Sequence, residues 1–302
     1  MKIAIIGLGR MGANIARRLH KGDHQIVAYN RSSEKTLQLE KEIGVQAAFS
    51  LEEIVALLTP PRIVWLMLPA GDVTENTIIE LQGLLKKDDV IIDGANSYYK
   101  DSIRRGKFLK ESGIHFLDVG VSGGIWGLTE GYSLMIGGDK EVVNRLVPLF
   151  ISLAPGKDKG WGRVGPIGAG HFSKMIHNGI EYGMMEALAE GFELLTSKQE
   201  FDIDLAHLAG IWQYGSVIRC WLLDLVKDIF DENANLDQIA AWAEDSGEGR
   251  WAVQESIELA VPTPVITESL FRRFASRQEN SMAIRLISAI RNKFGGHPIK
   301  TS

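Results

Sequence analysis

The sequence predicts an α/β domain with a doubly wound parallel sheet, followed by an all-α domain. The first half alternates short, almost wholly apolar runs with amphipathic segments, a pattern typical of parallel strands joined by crossover helices. After about residue 150 the β-rich runs stop and helical spacing dominates. The 302 residues are about twice the commonest domain length, which favours two domains.

The border is predicted in the loop Ala154–Gly162, which gives a first domain at residues 1–164 and a second at residues 165–302. Five apolar runs predict the strands Lys2–Ile6, Gln25–Tyr29, Ile63–Leu68, Val90–Asp93 and His115–Val119. Helices are predicted to begin near Met11, Ser33, Leu51, Thr74 and Ser102. The second domain is predicted to hold helices at Gly168–Leu195, Leu205–Phe230, Leu236–Glu244 and Ile284–Lys293, with Asp202 or Asp204 as an N-cap.

Composition excludes several classes of protein. The chain has 33 Lys and Arg against 38 Asp and Glu, a net charge of −5, so it offers no broad basic field for nucleic acid. No apolar run reaches the roughly 18 residues of a membrane-spanning helix. Cys220 is the single cysteine and can form no internal disulfide. We expect a cytoplasmic protein that acts on a small molecule.

A glycine-rich turn follows the first predicted strand and opens the first helix: Gly7-Leu8-Gly9-Arg10-Met11-Gly12. In this strand-to-helix context the first glycine permits a tight turn, the second lets backbone N–H groups approach a pyrophosphate, and the third allows close helix packing. The first domain is therefore predicted to be of the Rossmann type and to bind a dinucleotide.

The end of the second strand bears on the choice of cofactor. It reads Asn30-Arg31-Ser32, without the acidic residue that would bind a ribose 2′-hydroxyl and repel a 2′-phosphate. Arg31 is suited to pairing with a phosphate. The pattern favours NADP, although the nearby Glu34 leaves NAD open.

A polar stripe marks the first helix of the second domain. Its members, Lys174, His177, Asn178, Glu181 and Tyr182, stand at i, i+3, i+4, i+7 and i+8. Lys174 and Glu181 are about 10 Å apart along the helix axis, a separation suited to the two ends of a small substrate. Burial disfavours the charged form of a lysine, which would make Lys174 a general base. The alternative is that the stripe is an ordinary solvated face of the helix. The opposite side is predicted to pack in the interior and carries Phe172, Met175, Ile176, Ile180 and Met184.

With these motifs the sequence resembles the 6-phosphogluconate dehydrogenase family, in particular its short-chain bacterial branch. The resemblance rests on the glycine turn and on the segments Asp93-Gly-Ala-Asn-Ser97, Gly120-Val-Ser-Gly-Gly124, Gly168–Tyr182 and Arg291–His297. It implies metal-independent oxidative decarboxylation of 6-phospho-D-gluconate to D-ribulose 5-phosphate, in the pentose phosphate pathway. Lys174 matches the general base of the family and Glu181 its acid.

The resemblance also implies binding residues. Ser122, Gly123 and Gly124 match the site for the substrate carboxylate, His177 and Asn178 the sites for hydroxyls, and Tyr182, Arg273, Arg291 and His297 the phosphate site. Asn96 would lie between nicotinamide and substrate, and the cofactor would be lined by Leu68, Pro69 and Ala70 besides the glycine turn and residues 30–32. In the long-chain branch the C-terminal Arg and His reach the partner subunit, so we expect a homodimer or homotetramer with shared sites.

Two departures stand out: Ala95 replaces a glycine common in the family, and Ser246 replaces a substrate-contacting lysine of the long-chain branch. Two other functions stay open at this point. A 3-hydroxyacid dehydrogenase of the 3-hydroxyisobutyrate type shares the glycine turn, the Ser-Gly-Gly turn and the lysine helix. A cofactor-binding sensor would keep the fold without catalysis.

Overall fold

The computed structural model describes residues 1–301 and confirms the predicted fold class, a doubly wound sheet followed by helices. Contacts divide the chain into two compact units, Met1–His177 and the remainder from Asn178 onward. None of the helices within residues 1–301 combines the length and the apolar character needed to cross a bilayer.

Within residues 1–301, eight strands form one sheet in the first unit, in the order β3-β2-β1-β4-β5-β6-β7-β8. Neighbouring strands are parallel except β6 and β7, which run antiparallel. The strands are β1 (Lys2–Ile6), β2 (Gln25–Tyr29), β3 (Gln46–Ala47), β4 (Ile63–Leu66), β5 (Val90–Asp93), β6 (His115–Ser122), β7 (Ser133–Gly137) and β8 (Trp161–Gly165).

Helices lie on both faces of this sheet, which is why the central strands are apolar throughout. Successive side chains of a strand point to opposite faces, so Ile3 and Ile5 belong to one buried core, whereas Ala4 and Ile6 belong to the other. The helices of this unit are α1 (Arg10–Lys21), α2 (Ser33–Ile43), α3 (Leu51–Leu57), α4 (Asp72–Leu84), α5 (Tyr99–Glu111), α6 (Gly127–Glu130), α7 (Lys140–Arg145) and α8 (Val147–Leu153).

All five predicted strands are present, but the prediction that strands end near residue 150 is wrong. Strand β8 begins at Trp161, so it takes up the last two residues of the predicted loop, and it pairs with β7. Its sequence, Trp161-Gly-Arg-Val-Gly165, contains two glycines and an arginine, so it lacks the apolar run by which strands were identified. Backbone pairing with β7, rather than side-chain pattern, fixes this edge strand.

The second unit is helical, as predicted. Helix α9 (Ala169–Ser197) begins in the first unit and is followed by α10 (Leu205–Trp212), α11 (Trp221–Glu232), α12 (Gly247–Glu258), α13 (Pro264–Ser276) and α14 (Met282–Gly295). Asp204 is the N-cap of α10, since its side chain accepts a hydrogen bond from the backbone N–H of His207. Phe192, Ala209 and Leu223 form the buried centre of a core made by α9, α10 and α11.

Two helix predictions in this unit are wrong. The continuous helix predicted at Leu205–Phe230 is interrupted between α10 and α11, where Gly215 has a φ of +72°. The helix predicted at Leu236–Glu244 is absent: Leu236 has a φ of +56°, and every residue of the segment is exposed. Short helices need a packed face for stability, and helical spacing alone does not supply one.

Candidate active site

The glycine turn between β1 and α1 has the geometry that its sequence predicts. Gly7 has a φ of +96°, and a Cβ there would lie 2.4 Å from the carbonyl oxygen of Met67. A Cβ at Gly12 would lie 1.9 Å from the carbonyl oxygen of Gly7. A Cβ at Gly9, by contrast, would meet nothing within 4 Å. The outer glycines are therefore needed by the fold, whereas Gly9 leaves open space that a ligand can fill.

The N-terminus of α1 is suited to an anion. No side chain caps it among the described residues, and its first turn holds no acidic residue, so the helix dipole favours negative charge there. Asn30 fixes the turn from the end of β2, because its side-chain oxygen accepts a hydrogen bond from the N–H of Leu8 at 2.9 Å. Beyond it, Ser32 donates to the carboxylate of Glu34 at 2.6 Å, and Arg31 is exposed.

An alanine at Gly9 is expected to weaken cofactor binding, whereas an alanine at Gly12 is expected to reduce the stability of the fold. Gly9→Ala should leave the unfolding temperature unchanged but weaken binding of a nicotinamide dinucleotide by about tenfold or more, because the methyl group occupies the approach of the pyrophosphate. Gly12→Ala should lower the unfolding temperature by several degrees, because its methyl group collides with the turn. Thermal unfolding and fluorescence titration with NADPH and NADH measure both effects. A Gly9→Ala protein with wild-type affinity would contradict the assigned role.

Further candidate cofactor residues lie at the same edge of the sheet. Strands β1, β4 and β5 are parallel neighbours, so the loops after β4 and β5 leave beside the glycine turn. Leu68 and the exposed Pro69 and Ala70 follow β4, and the exposed Asn96 follows β5. The structure therefore brings the proposed cofactor residues of the first unit to one edge.

Lys174 is placed by an unusually close approach of α9 to β6. The buried carboxylate of Asp118 accepts hydrogen bonds from the backbone N–H groups of Gly168 at 2.7 Å and His171 at 2.8 Å, which anchors the start of α9. A Cβ at Gly120 would lie 2.5 Å from the Cβ of Lys174, so only glycine permits this contact. Lys174 is 7% exposed, so its side chain is not on the solvated face that was the alternative prediction.

The Ser-Gly-Gly turn lies at the end of β6, immediately after Gly120. Gly123 has a φ of +133° and Gly124 a φ of +53°, values that favour glycine. The hydroxyl of Ser122 lies 3.3 Å from Nε2 of His177. Ser122, His177 and Lys174, which were selected from separate motifs, are thus brought together within the first unit.

In the second unit the polar stripe continues along α9. The side-chain amide of Asn178 donates to the buried carboxylate of Glu248 on α12, and Glu181 is half-buried. The buried hydroxyl of Tyr182 accepts a hydrogen bond from the N–H of Ser246 at 2.6 Å and lies 3.1 Å from the hydroxyl of the same residue. Ser246, noted above for its departure from the family pattern, therefore holds the tyrosine.

Arg273 stacks on the ring of Tyr182, with its guanidinium carbon 3.5 Å from the ring centroid. Its Nη1 atom is buried and, within residues 1–301, has no hydrogen-bond partner. Arg291 and His297 are both exposed, and the described contacts of His297 are with its own segment, to Asn292 and Phe294. The structure therefore joins two of the four predicted phosphate residues.

The prediction that the apolar side of α9 is interior is wrong for two residues. Met175 is buried, and Phe172 and Ile176 are half-buried, but Ile180 is 52% exposed and Met184 is 41% exposed. The buried positions of this part of α9 include the polar Asn178 and Tyr182. The hydrogen bonds of the stripe to α12 explain the reversal, because they satisfy the polar groups that face inward.

Sequence reasoning missed the residues that support the stripe. Asp118 anchors α9, and Ser102 on α5 lies 2.7 Å from Nδ1 of His171. The one available signal was a carboxylate inside an otherwise apolar strand, Phe116-Leu-Asp-Val119. Within residues 1–301, no group of three or more His, Cys, Asp or Glu side chains is arranged to hold a metal ion.

Two family models match most of the chain. The NAD binding domain of 6-phosphogluconate dehydrogenase matches residues 2–162, and the C-terminal domain of 6-phosphogluconate dehydrogenase matches residues 170–293.

Known proteins show the same similarity. A provisionally named 6-phosphogluconate dehydrogenase of Bacillus subtilis, YqeC, is 44% identical over 98% of this chain and 98% of that protein. The NAD(+)-dependent, decarboxylating 6-phosphogluconate dehydrogenase of Haloferax volcanii is 39% identical over 99% of this chain and 98% of that protein. The solved structure of Plasmodium falciparum 6-phosphogluconate dehydrogenase has a TM-score of 0.85 at 28% identity and covers 100% of this chain and 66% of that one.

Proposed function

Because the chain belongs to the 6-phosphogluconate dehydrogenase family, we propose that it oxidises and decarboxylates 6-phospho-D-gluconate to D-ribulose 5-phosphate and CO2 with reduction of a nicotinamide dinucleotide. The observation that carries the choice of substrate is Nη1 of Arg273, which is buried beside Tyr182 without a hydrogen-bond partner in the described chain. An unpaired buried guanidinium nitrogen is costly, and a phosphate supplies the acceptors that satisfy it.

Lys174 is the proposed general base. Its neutral amine takes the proton of the C3 hydroxyl as the hydride on C3 leaves, and the product is a β-keto acid. The nicotinamide ring, when bound, supplies the hydride acceptor. On loss of CO2 the C3 carbonyl takes up the electron pair of the C1–C2 bond to become an enolate, and the protonated Lys174 stabilises its oxygen. Glu181 then protonates the carbon that has lost CO2, which converts the enolate directly into the ketopentose.

Other residues would bind and orient the substrate. The backbone N–H groups of the turn at Ser122, Gly123 and Gly124 suit its carboxylate. His177 and Asn178 would hold hydroxyls, and Tyr182 with Arg273 would hold the phosphate. Asn96, exposed after β5, is placed in this proposal between substrate and nicotinamide.

The glycine turn and the uncapped start of α1 fit a dinucleotide pyrophosphate. We propose NADP as the preferred cofactor, because the exposed Arg31 is able to pair with a 2′-phosphate and Asn30 carries no charge. The carboxylate of Glu34, held by Ser32, opposes that preference. The ratio of kcat/KM for the two cofactors measures the balance, and a large preference for NAD would remove the role given to Arg31.

We further propose that a second copy of the chain completes each site. Six apolar side chains of α14 are exposed, and Met282, Leu286, Ile290 and Phe294 recur every four residues, on one face of the helix. Arg291 lies on the same helix, and His297 follows it. A homodimer would cover these side chains and carry Arg291 and His297 to the phosphate site of the partner. The exposed residues are Met282, Ile284, Leu286, Ile287, Ile290 and Phe294.

Purified protein with 6-phosphogluconate and each nicotinamide cofactor tests the reaction. We expect one CO2 for each reduced cofactor, and little turnover of gluconate, which lacks the phosphate. Reduced cofactor without CO2, or turnover of 3-hydroxyisobutyrate in place of the sugar phosphate, would indicate a simple hydroxyacid dehydrogenase. If the protein binds the cofactor and turns over none of these compounds, it is a sensor rather than this enzyme.

A further inference from the structure

A buried arginine of the first unit, Arg105 on α5, makes an unusual set of polar contacts. It is 1% exposed and contacts groups on two loops, one strand and one helix. Its Nε donates to Glu75 at 2.8 Å, its Nη1 to Asp93 at 3.1 Å and to Ser97 at 3.2 Å, and its Nη2 lies 3.5 Å from the carbonyl oxygen of Gly71.

These partners come from the two connections that leave the carboxyl ends of β4 and β5. Gly71 ends the loop after β4, and Glu75 lies in the first turn of α4, which follows that loop. Asp93 is the last residue of β5, and Ser97 lies in the loop after it. Ser97 also donates to Asp93 at 2.8 Å, so the second loop is closed on the same carboxylate. One guanidinium therefore joins both loops.

Both loops lie beside the glycine turn. The carbonyl oxygen of Met67 and the side chain of Leu68 border the position of a Cβ on Gly7. A Cβ at Gly94 would in turn meet Trp65 and Met67, so the loop after β5 packs on the segment after β4.

Strand order decides which half of a dinucleotide these loops face. The order reverses at β1, with β2 and β3 on one side and β4 and β5 on the other. Ligands of such sheets bind at the reversal point, with the pyrophosphate at the turn after β1. The ribose next to adenine reaches the end of β2, so the remaining half extends over β4 and β5. The loops joined by Arg105 are thus the ones available to the nicotinamide half.

We propose that Arg105 is a positioning residue that fixes the loops after β4 and β5 relative to each other and thereby shapes the nicotinamide half of the cofactor site. The proposal rests on the dinucleotide binding of the proposed function. A guanidinium presents several N–H donors in a fixed plane, which lets it bind partners on different segments at once. The ammonium of a lysine is a point donor on a flexible stem and does not reproduce this geometry.

The chain contains a matched ion pair with which to compare it. Arg62 pairs with the buried Asp89 at 3.1 Å, the same distance as between Arg105 and Asp93. Arg62 and Asp89 precede β4 and β5, whereas the Arg105 cluster follows these strands. Asp89 immediately precedes β5 and Asp93 ends it, so the two aspartates are about 13 Å apart along the strand direction. Arg62→Met therefore removes an arginine–aspartate pair of the same length from the opposite end of the same two strands.

The test compares Arg105→Met, Arg105→Lys and Arg62→Met in the full chain, at a temperature at which each remains folded. The probes are NADPH, NADH and ADP-ribose, which lacks nicotinamide. We expect both Arg105 variants to weaken NADPH or NADH binding by about tenfold or more, with ADP-ribose affinity within about twofold of wild type. Arg62→Met should lower the unfolding temperature and leave all three affinities within about twofold.

A purely structural role would give a different outcome. Reduced stability of Arg105→Met with unchanged NADPH and NADH affinity, or an equal loss for Arg62→Met, would overturn the proposal, as would an equal loss for ADP-ribose. If Arg105→Met does not fold, Ser97→Ala removes one of the contacts, and a loss of about threefold for NADPH but not for ADP-ribose is expected. Wild-type protein that binds neither dinucleotide would refute the proposed function itself, whereas binding without sugar phosphate turnover would leave the role of Arg105 measurable.

Discussion

Replacing Lys174 by methionine is expected to abolish turnover of 6-phosphogluconate while leaving the affinity for NADPH within about twofold of wild type. Methionine keeps most of the length of the side chain and the Cβ that packs against Gly120. It removes the amine that accepts the C3 proton and later stabilises the enolate. General acid–base catalysis contributes about 10²–10⁴-fold, and one amine serves both steps, so we expect kcat to fall by at least about 10³-fold.

Single-turnover absorbance of the reduced cofactor measures this loss, and NADPH fluorescence checks that the cofactor still binds. Glu181→Gln is the matched control, since it changes a residue two turns further along the same helix. It should still reduce the cofactor in a single turnover but release the ketopentose more slowly. A Lys174→Met enzyme with more than about a tenth of wild-type turnover would exclude the lysine as the general base.

The sequence identified Lys174 because helical spacing can be read along one segment. The residues at i+3, i+4, i+7 and i+8 from Lys174 lie on the same face of the helix, and this depends only on helix geometry and not on the neighbouring elements. The same reasoning gave the glycine turn, in which every residue lies within six positions of the others. Sequence reasoning was least reliable where position depends on distant segments. Asp118 anchors α9 from 50 positions away in the chain, and Arg105 meets Glu75 from 30 positions away.

Burial was also difficult to predict from periodicity. The two sides of α9 are chemically distinct in the sequence, and the apolar side was expected inside, yet Ile180 and Met184 are exposed. Asn178 and Tyr182 are buried because α12 offers them Glu248 and the N–H of Ser246. That compensation comes from residues about 70 positions away, and a single sequence contains no pattern that reveals it.

Chains carrying Arg273→Met and Arg291→Met are expected to be nearly inactive alone and to regain activity when combined. Each arginine is proposed to bind the substrate phosphate, and loss of a hydrogen bond to a charged group costs about 1.5–3 kcal/mol, or roughly 10- to 100-fold in kcat/KM. If Arg273 of one chain and Arg291 of its partner form one site, a mixed dimer has one site with both substitutions and one with neither. Half of the wild-type activity per mixed dimer is therefore expected.

Two different affinity tags allow the mixed dimer to be purified apart from both parent dimers. The activity of the mixed dimer distinguishes a phosphate site shared between two chains from one made by a single chain. If both arginines of a site came from one chain, each site of the mixed dimer would carry one substitution and both sites would be impaired. A mixed dimer of Arg273→Met with Lys174→Met is the matched control: Lys174 and Arg273 are proposed to act in the site of their own chain, so this dimer has no intact site and should stay inactive. If the mixed dimer of Arg273→Met with Arg291→Met is no more active than its parent dimers, the partner chain does not contribute to the phosphate site. Full wild-type activity in a monomer would lead to the same conclusion.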